Sequence, residues 1–411
     1  LGAGIGPLAT LGIALALTGC GAWRDADWVR IEEAGTGFVG HRVVRHPALA
    51  TDGGARVALT FVSPREDGSL DAWIALSSDS GASFGAPVRL NRRDGAVVSQ
   101  PQTSPVASFG PGGRVAVAWI ERREGATSAM DVMAAASGDG GTTFARPAAV
   151  NDDVADAKET LHGYPSIAFR PDGRLFASWI DERESRSRNP APATSCVFAA
   201  LSEDGGMSWG DNRVLTDRAC PCCRPALAVD AGGRTVLAYR SGAANLRDPA
   251  LLLTPDDGSS VAFDTLLAAD RWELDSCPTS GPAVTAGEDG GVVAWYTGSG
   301  TPGVYLVPWR ASIGPAGVRR TVMDSLATAT EPRLSRNGDA TWIAVDAAAS
   351  AEPRFRRLAV RVLDRDGTLT PWSFLGADAG SGSIAAVSPD RALAAWIERG
   401  SLRLVSLKRI R

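Results

Sequence analysis

Lysine is almost missing from this chain: of 42 basic residues only Lys158 and Lys408 are not arginine, a bias with no functional reading of its own. No long run of either charge sign occurs and the formal net charge is -4. Both facts argue against nucleic acid as the main partner, because phosphate backbones are held by massed positive charge. Long apolar runs are also lacking. Residues 8–17 form one apolar stretch, shorter than the roughly 20 residues a membrane-crossing helix needs, and no other follows, so the rest is expected to be soluble. The chain begins on Leu1 with no basic segment ahead of that stretch, and its natural start is expected to lie upstream. What is plentiful is glycine (46) and proline (25), scattered at turns between short apolar runs. That distribution fits many short strands rather than disorder, and 411 residues fit in one sheet-rich body.

The apolar stretch ends in Leu17-Thr18-Gly19-Cys20. These four residues resemble a bacterial lipobox, which implies a lipoprotein signal peptide over residues 1–19 and lipidated Cys20 as the first mature residue. The membrane is then a partner through Cys20, and the protein is an anchored component of the bacterial cell envelope. Gly21 resembles the signal for outer-membrane sorting in cells with two membranes. An ordinary signal peptide with a chance cysteine is the alternative.

One phrase recurs along the chain: a Pro or small residue, a short apolar run, a Gly turn, and a second alternating run closing on an aromatic. It reads PALATDGGARVALTF, PVASFGPGGRVAVAW, PSIAFRPDGRLFASW, PALAVDAGGRTVLAY and PAVTAGEDGGVVAW, with weaker copies PRLSRNGDATWIAV and SIAAVSPDRALAAW. The closing aromatics Phe61, Trp119, Trp179, Tyr239 and Trp295 are 58, 60, 60 and 56 residues apart. A step this regular marks a repeated supersecondary unit. Three units continue into Ser77-Ser78-Asp79-Ser80-Gly81-Ala82-Ser83-Phe84, Ser137-Gly138-Asp139-Gly140-Gly141-Thr142-Thr143-Phe144 and Ser202-Glu203-Asp204-Gly205-Gly206-Met207-Ser208-Trp209. All fit S-x-D-x-G-x-[ST]-[FW], and a degenerate copy surrounds Asp256. The chemistry is that of a tight hairpin: Asp79, Asp139 and Asp204 accept backbone N–H bonds, and Gly81, Gly141 and Gly206 supply a positive φ.

This pattern resembles the Asp box of the sialidase superfamily and covers most of the chain downstream of Cys20. The resemblance implies an all-β propeller of four-stranded antiparallel blades over residues 45–411; the family's catalytic propeller has six blades, but the seven copies of the repeat favour seven here. The last repeat runs out after its third strand, so a closing strand is expected from residues 28–42, within an anchor and tether segment spanning 20–44.

The Asp box also occurs in propellers without glycosidase activity, so catalytic residues have to be found one by one. Sialidases grip a carboxylate with three arginines, attack with a Tyr–Glu pair and use an Asp acid/base. Arg45, in Val44-Arg45-His46-Pro47, matches the first arginine, and Arg240 is a weaker match to the second. The segment around Tyr305 has no arginine for the third. Arg224 stands where the Glu should be and Glu331 where the Tyr should be, so the nucleophile pair is missing. Asp67 or Asp71 is the acid/base candidate, although an Asp at such a place is more often a turn residue. The plain alternative for Arg45 and Arg240 is a rim ion pair with Asp181 or Glu121. Glu121-Arg122-Arg123, Asp181-Glu182-Arg183 and Glu398-Arg399 are expected to form a solvated charged rim.

Beyond Cys20 there are Cys196, Cys220, Cys222, Cys223 and Cys277, an odd number that allows at most two disulfides. Cys223 and Cys277 both precede the first strands of adjacent blades, which favours that pairing. Residues just before each opening Pro should ring one mouth of the axial channel: His46, His162, Tyr164, Arg224 and the cysteines of blades four and five. His46, His162, Cys222, Cys223 and Cys277 together offer the soft donor set that copper or zinc takes. Disulfides, a metal site and a redox role therefore stand side by side. The functional expectation is a binding module for a ligand, a metal or a partner, such as a glycan or envelope protein. Arg45, His46, His162, Tyr164, Arg224 and Arg240 are its candidate contacts. Exo-α-sialidase-like hydrolysis is the competing reading.

Overall fold

A computed structural model describes residues 28–34, 44–154, 159–183, 194–348 and 356–410; the lipobox-like segment and Cys20 lie outside them. The described residues form seven antiparallel sheets. Blade one runs outward from the axis as Arg45–Thr51, Val57–Pro64, Leu70–Ser77 and Val88–Arg89. The inner strands of blades two to seven are Val106–Phe109, His162–Phe169, Ala226–Val229, Ala283–Val284, Arg333–Asn337 and Ala379–Ser388. Seven blades is the count the repeat predicted.

The ring closes where the sequence ran short of a strand. Val29–Glu33 pairs antiparallel with Ser401–Arg409, Val29 opposite Arg409 and Glu33 opposite Val405. Blade seven thus takes three strands from one end of the chain and one from the other, and its third strand is not left as an unpaired edge.

The apolar core is divided into seven layers, each between two neighbouring blades. Val62 and Ile74 of blade one meet Val117 and Trp119 of blade two, and Phe61 of blade one meets Leu393 of blade seven. The repeating aromatics explain themselves here. Phe61, Trp119, Trp179, Tyr239 and Trp295 each pack against the preceding blade, and a buried ring of this size contributes more than any aliphatic alternative. Their polar atoms still need partners. Trp119 Nε1 donates to Glu121 Oε1 at 2.9 Å, and Trp179 Nε1 to Asp181 Oδ2 at 2.9 Å. Both carboxylates are buried, which corrects the expectation of a solvated rim at Glu121 and Asp181, while Arg122 and Arg399 are exposed: each acid sits at the end of the second strand and accepts from the indole two residues before it.

Each Asp box is a small closed network. In blade one Ser77 Oγ donates to Asp79 Oδ1 (2.7 Å), Gly81 N to Ser77 Oγ (2.8 Å), and Ser83 N and Oγ to the two Asp79 oxygens (2.9 and 2.6 Å). The same bonds recur around Asp139 and Asp204. At Asp256, Thr254, Gly258 and Ser260 supply the donors. The Ser83 hydroxyl and N–H, with Ser77, hold the Asp79 carboxyl down to about 2. Gly81 sits at φ +84°, and a Cβ there would lie 2.0 Å from Leu393 of the preceding blade. Glycine is needed for both reasons. Ser80 N bonds Ala55 O in the turn joining the first two strands, so the box occupies the face opposite the one where the inner strands begin.

Candidate functional site

On that other face the chain departs from extended geometry at the start of three inner strands. His46 (φ +49°), Tyr164 (φ +59°) and Ser381 (φ +56°) occupy the same bulge in blades one, three and seven. Non-glycine residues avoid this region, and bulges of this kind re-aim side chains. Below them a channel of about 510 Å³ runs between the inner strands, from Leu49 in blade one round to Ile384 in blade seven.

Two residues that displaced sialidase-like chemistry in the sequence meet across the mouth. Arg224 Nη2, from blade four, bonds Glu331 Oε1 of blade six at 2.8 Å, and Arg333 pairs with the same oxygen. Burial pushes Glu331 up, but the two guanidiniums outweigh it and hold its carboxyl below the ordinary value. Gln102 stitches blades two, four and five together, its Oε1 accepting from Arg224 N (3.1 Å) and Gly281 N (2.9 Å). Tyr164 is pushed up to about 12, first by burial and then by its neighbours Cys223, Cys220, Glu182 and Glu331. A phenol so held is a poor nucleophile, and a carboxylate fixed by two arginines is a poor base.

Beside this ion pair, where blades one, six and seven meet, lies a pocket of about 350 Å³ whose walls carry Arg45, His46, Arg356, Asp378 and Arg399. Among the described residues, Arg45, Arg356 and Arg399 form no salt bridge with a carboxylate, neither Asp181 nor Glu121 included. Burial, then Arg45 and Arg333, pushes the His46 imidazole below its ordinary value, against an upward pull from Glu331. The pocket walls thus carry three exposed arginines against one exposed aspartate, an excess of positive charge.

The remaining expected site residues sit elsewhere in the fold. Arg240 is 1% exposed and donates to the carbonyls of Ser280 (2.8 Å), Arg247 (2.7 Å) and Tyr296 (2.7 Å). By strand pairing it takes the position that Val62, Ile120 and Ile180 hold in blades one to three, so it is a core residue that ties blades four and five. Asp67 is an exposed turn residue accepting from Ser69 N and Oγ. Asp71 is buried, with Asn91, Gly95 N and Arg65 on its oxygens. Blade two repeats the arrangement with Asp131 and Asn151, which marks Asp71 as a clamp between third strand and outer strand.

The five-residue donor set does not converge. His162, fully buried, places Nδ1 2.9 Å from Met130 O and Nε2 2.9 Å from Asp153 Oδ1. Cys222, rather than Cys223, forms the disulfide with Cys277, with Cα atoms 6.1 Å apart. The expectation failed because Cys223 is buried, whereas its neighbour Cys222 is half-buried and stands next to the exposed Cys277. Among the described residues the one grouping of three potential ligands is Cys220, Cys222 and Cys223, their sulfurs within 4.8 Å of one another. The neighbouring Cys223 thiol, followed by Cys222 N–H, Arg247 and Arg240, lowers the Cys220 thiol against burial; burial and the Cys220 thiol raise Cys223. Arg333, Arg356 and Gln102 went unnoticed in the sequence, since none occupies a position that repeats from blade to blade.

No protein-family model matches the chain, and no curated protein resembles it in sequence. Its fold does have solved counterparts. An ulvan lyase of polysaccharide lyase family PL25, bound to -[GlcA(1-4)Rha3S]-, superposes with a TM-score of 0.53 at 11% identity over 93% of this chain and 95% of its own. The Hadza microbial sialidase Hz136 superposes with a TM-score of 0.50 at 12% identity over 90% of this chain; this chain spans 66% of that sialidase.

Proposed function

We propose that this protein is an exported, lipid-anchored propeller that binds an anionic ligand, with acidic glycans the favoured class, at the channel mouth without hydrolysing it. The supporting observation is the pocket lined by Arg45, Arg356 and Arg399, which have no carboxylate partner among the described residues. Guanidinium groups without acids bind carboxylate or sulfate in a planar fork. The structurally similar ulvan lyase holds an acidic, sulfated saccharide, which supports the ligand class. Hydrolysis is disfavoured because Glu331 is engaged by Arg224 and Arg333 and Tyr164 resists ionisation.

Isothermal titration with N-acetylneuraminate and glucuronate, at low and physiological salt, tests the reading. Binding is expected to weaken with salt and to fall at least about tenfold in Arg45→Ala, the loss of one charge-assisted contact of about 1.5–3 kcal/mol. Absence of binding for both acids, or binding indifferent to Arg45, rejects it. A fluorogenic sialoside turned over by the wild type and not by Arg45→Ala would instead establish the hydrolase. Metabolic labelling with palmitate, lost in Cys20→Ser, checks the anchor.

A further inference from the structure

Four cysteines meet at the start of blades four and five, and the anion pocket uses none of them. Cys220 and Cys223 are buried, and their spacing is C-x-x-C, Cys220-Pro221-Cys222-Cys223. Cys222 is half-buried and disulfide-bonded to Cys277, which is exposed and receives the Thr279 hydroxyl at 3.8 Å. Cys220 Sγ lies 3.7 Å from Cys222 Sγ. A thiol in contact with one sulfur of a disulfide, beside a second thiol, is the arrangement that exchange requires. Arg240 and Arg247 lie near enough to act on Cys220 electrostatically, and they favour the thiolate, the attacking form.

We propose that Cys220, Cys222, Cys223 and Cys277 form a two-electron thiol–disulfide relay between a buried dithiol and an exposed one, whose external reactant is a disulfide. In the first step Cys220 thiolate attacks Cys222 Sγ; the Cys220–Cys222 bond forms, the Cys222–Cys277 bond breaks, and Cys277 leaves as a thiolate and takes up the proton lost by Cys220. In the second step Cys223, losing its proton, attacks Cys220. The Cys220–Cys223 bond forms, and Cys222 leaves and is protonated. The buried pair has been oxidised and the surface pair reduced, with no net electron or proton consumed. The exposed dithiol then reduces an incoming disulfide by the same exchange, returning Cys222–Cys277 and releasing two thiols. The site is independent of the arginine pocket, so either reading can fail alone.

Alkylation of the full-length native protein at pH 7.5, followed by peptide mapping of disulfides, tests the relay. Cys277 should be labelled in a fraction of molecules that carry Cys220–Cys223. Cys220→Ser should lock Cys222–Cys277 and cut Cys277 labelling at least tenfold. Cys223→Ser should retain the labelling and accumulate Cys220–Cys222. Thermal melting followed by circular dichroism reports whether each variant folds; if Cys220→Ser does not, the Cys220–Cys222 species in Cys223→Ser decides. Cys222–Cys277 as the one disulfide in every fraction, or equal Cys277 labelling with and without Cys220, overturns the proposal. Thiol counting on the reduced protein, with glutathione disulfide in one arm and insulin in the other, tells a small disulfide from a protein disulfide as the reactant. Exchange conserves the total, so the count is made on this protein's own cysteines; loss of those thiols in neither arm also overturns the proposal.

Discussion

The two faces of this propeller are built on opposite rules. On the Asp-box face the same residue types occupy the same places in blades one, two and three, and their hydrogen bonds agree within about 0.2 Å. On the mouth face equivalent positions hold His46, Tyr164 and Ser381 in three blades, and Arg224 and Glu331 in two others, which meet as an ion pair. Repetition on one face means that each unit solves the same local folding problem. Divergence on the other leaves each blade with its own residue at the mouth, as the proposed binding of an anion there requires.

The comparison is broken first at Arg240, a charged residue near the mouth that behaves like the core. Arg240→Met leaves three buried carbonyls without a donor, at about 1–3 kcal/mol for each group left unsatisfied. A loss of about 3 kcal/mol or more in chemical denaturation is expected, larger than for any change to an Asp box or to the arginine pocket. Anion titration at a temperature where the variant is folded should still show binding. Asp79→Ala comes next, at about 1–2 kcal/mol by analogy with a lost helix cap, read as a lower melting temperature with anion affinity unchanged. The box also sets an acid limit. Asp79 is held at about 2 against an ordinary 3.8, so its contribution is complete above pH 3.8 and disappears as pH falls through about 2. Asp79→Asn should flatten the acid-unfolding curve in that window.

On the mouth face the sign reverses. Arg356→Ala should leave stability within about 0.5 kcal/mol of wild type while weakening the anion about tenfold, the equivalent of about 1.4 kcal/mol. Glu331→Gln is the smallest and most pointed change. It frees Arg224 and Arg333, so affinity for the anion should rise a few-fold in the same titration. A fall would place Glu331 in contact with the ligand and overturn the view of it as a neutralising partner.

How far the sequence revealed all this differs from face to face. Trp119, Trp179 and Asp79 could be recognised because each recurs at a fixed step and serves its own blade. Arg45 and His46 were recognisable by their place before an opening proline. Arg240 misled because strand position shows that a residue ends a second strand, whereas its side chain crosses to blade five. Asp71 misled because one copy resembles a lone acid, and its clamp role shows only beside Asp131 and Asn151. Arg333 and Arg356 carried no signal, since an arginine in a strand of blade six looks like any other.

The sequence by itself determined the sheet class, the number of blades, the hairpins and the need for a strand from the other end of the chain. These follow from periodic patterns whose physical causes are local, such as alternation across a strand, the positive φ of a turn or an indole seeking an acceptor. The tertiary structure alone decided that Arg224 meets Glu331, that Arg45, Arg356 and Arg399 share a pocket, and that Cys222 rather than Cys223 reaches Cys277. These contacts join residues 43 to more than 350 positions apart or turn on the direction of one side chain. They arise only when the ring closes and brings seven blade openings to one axis.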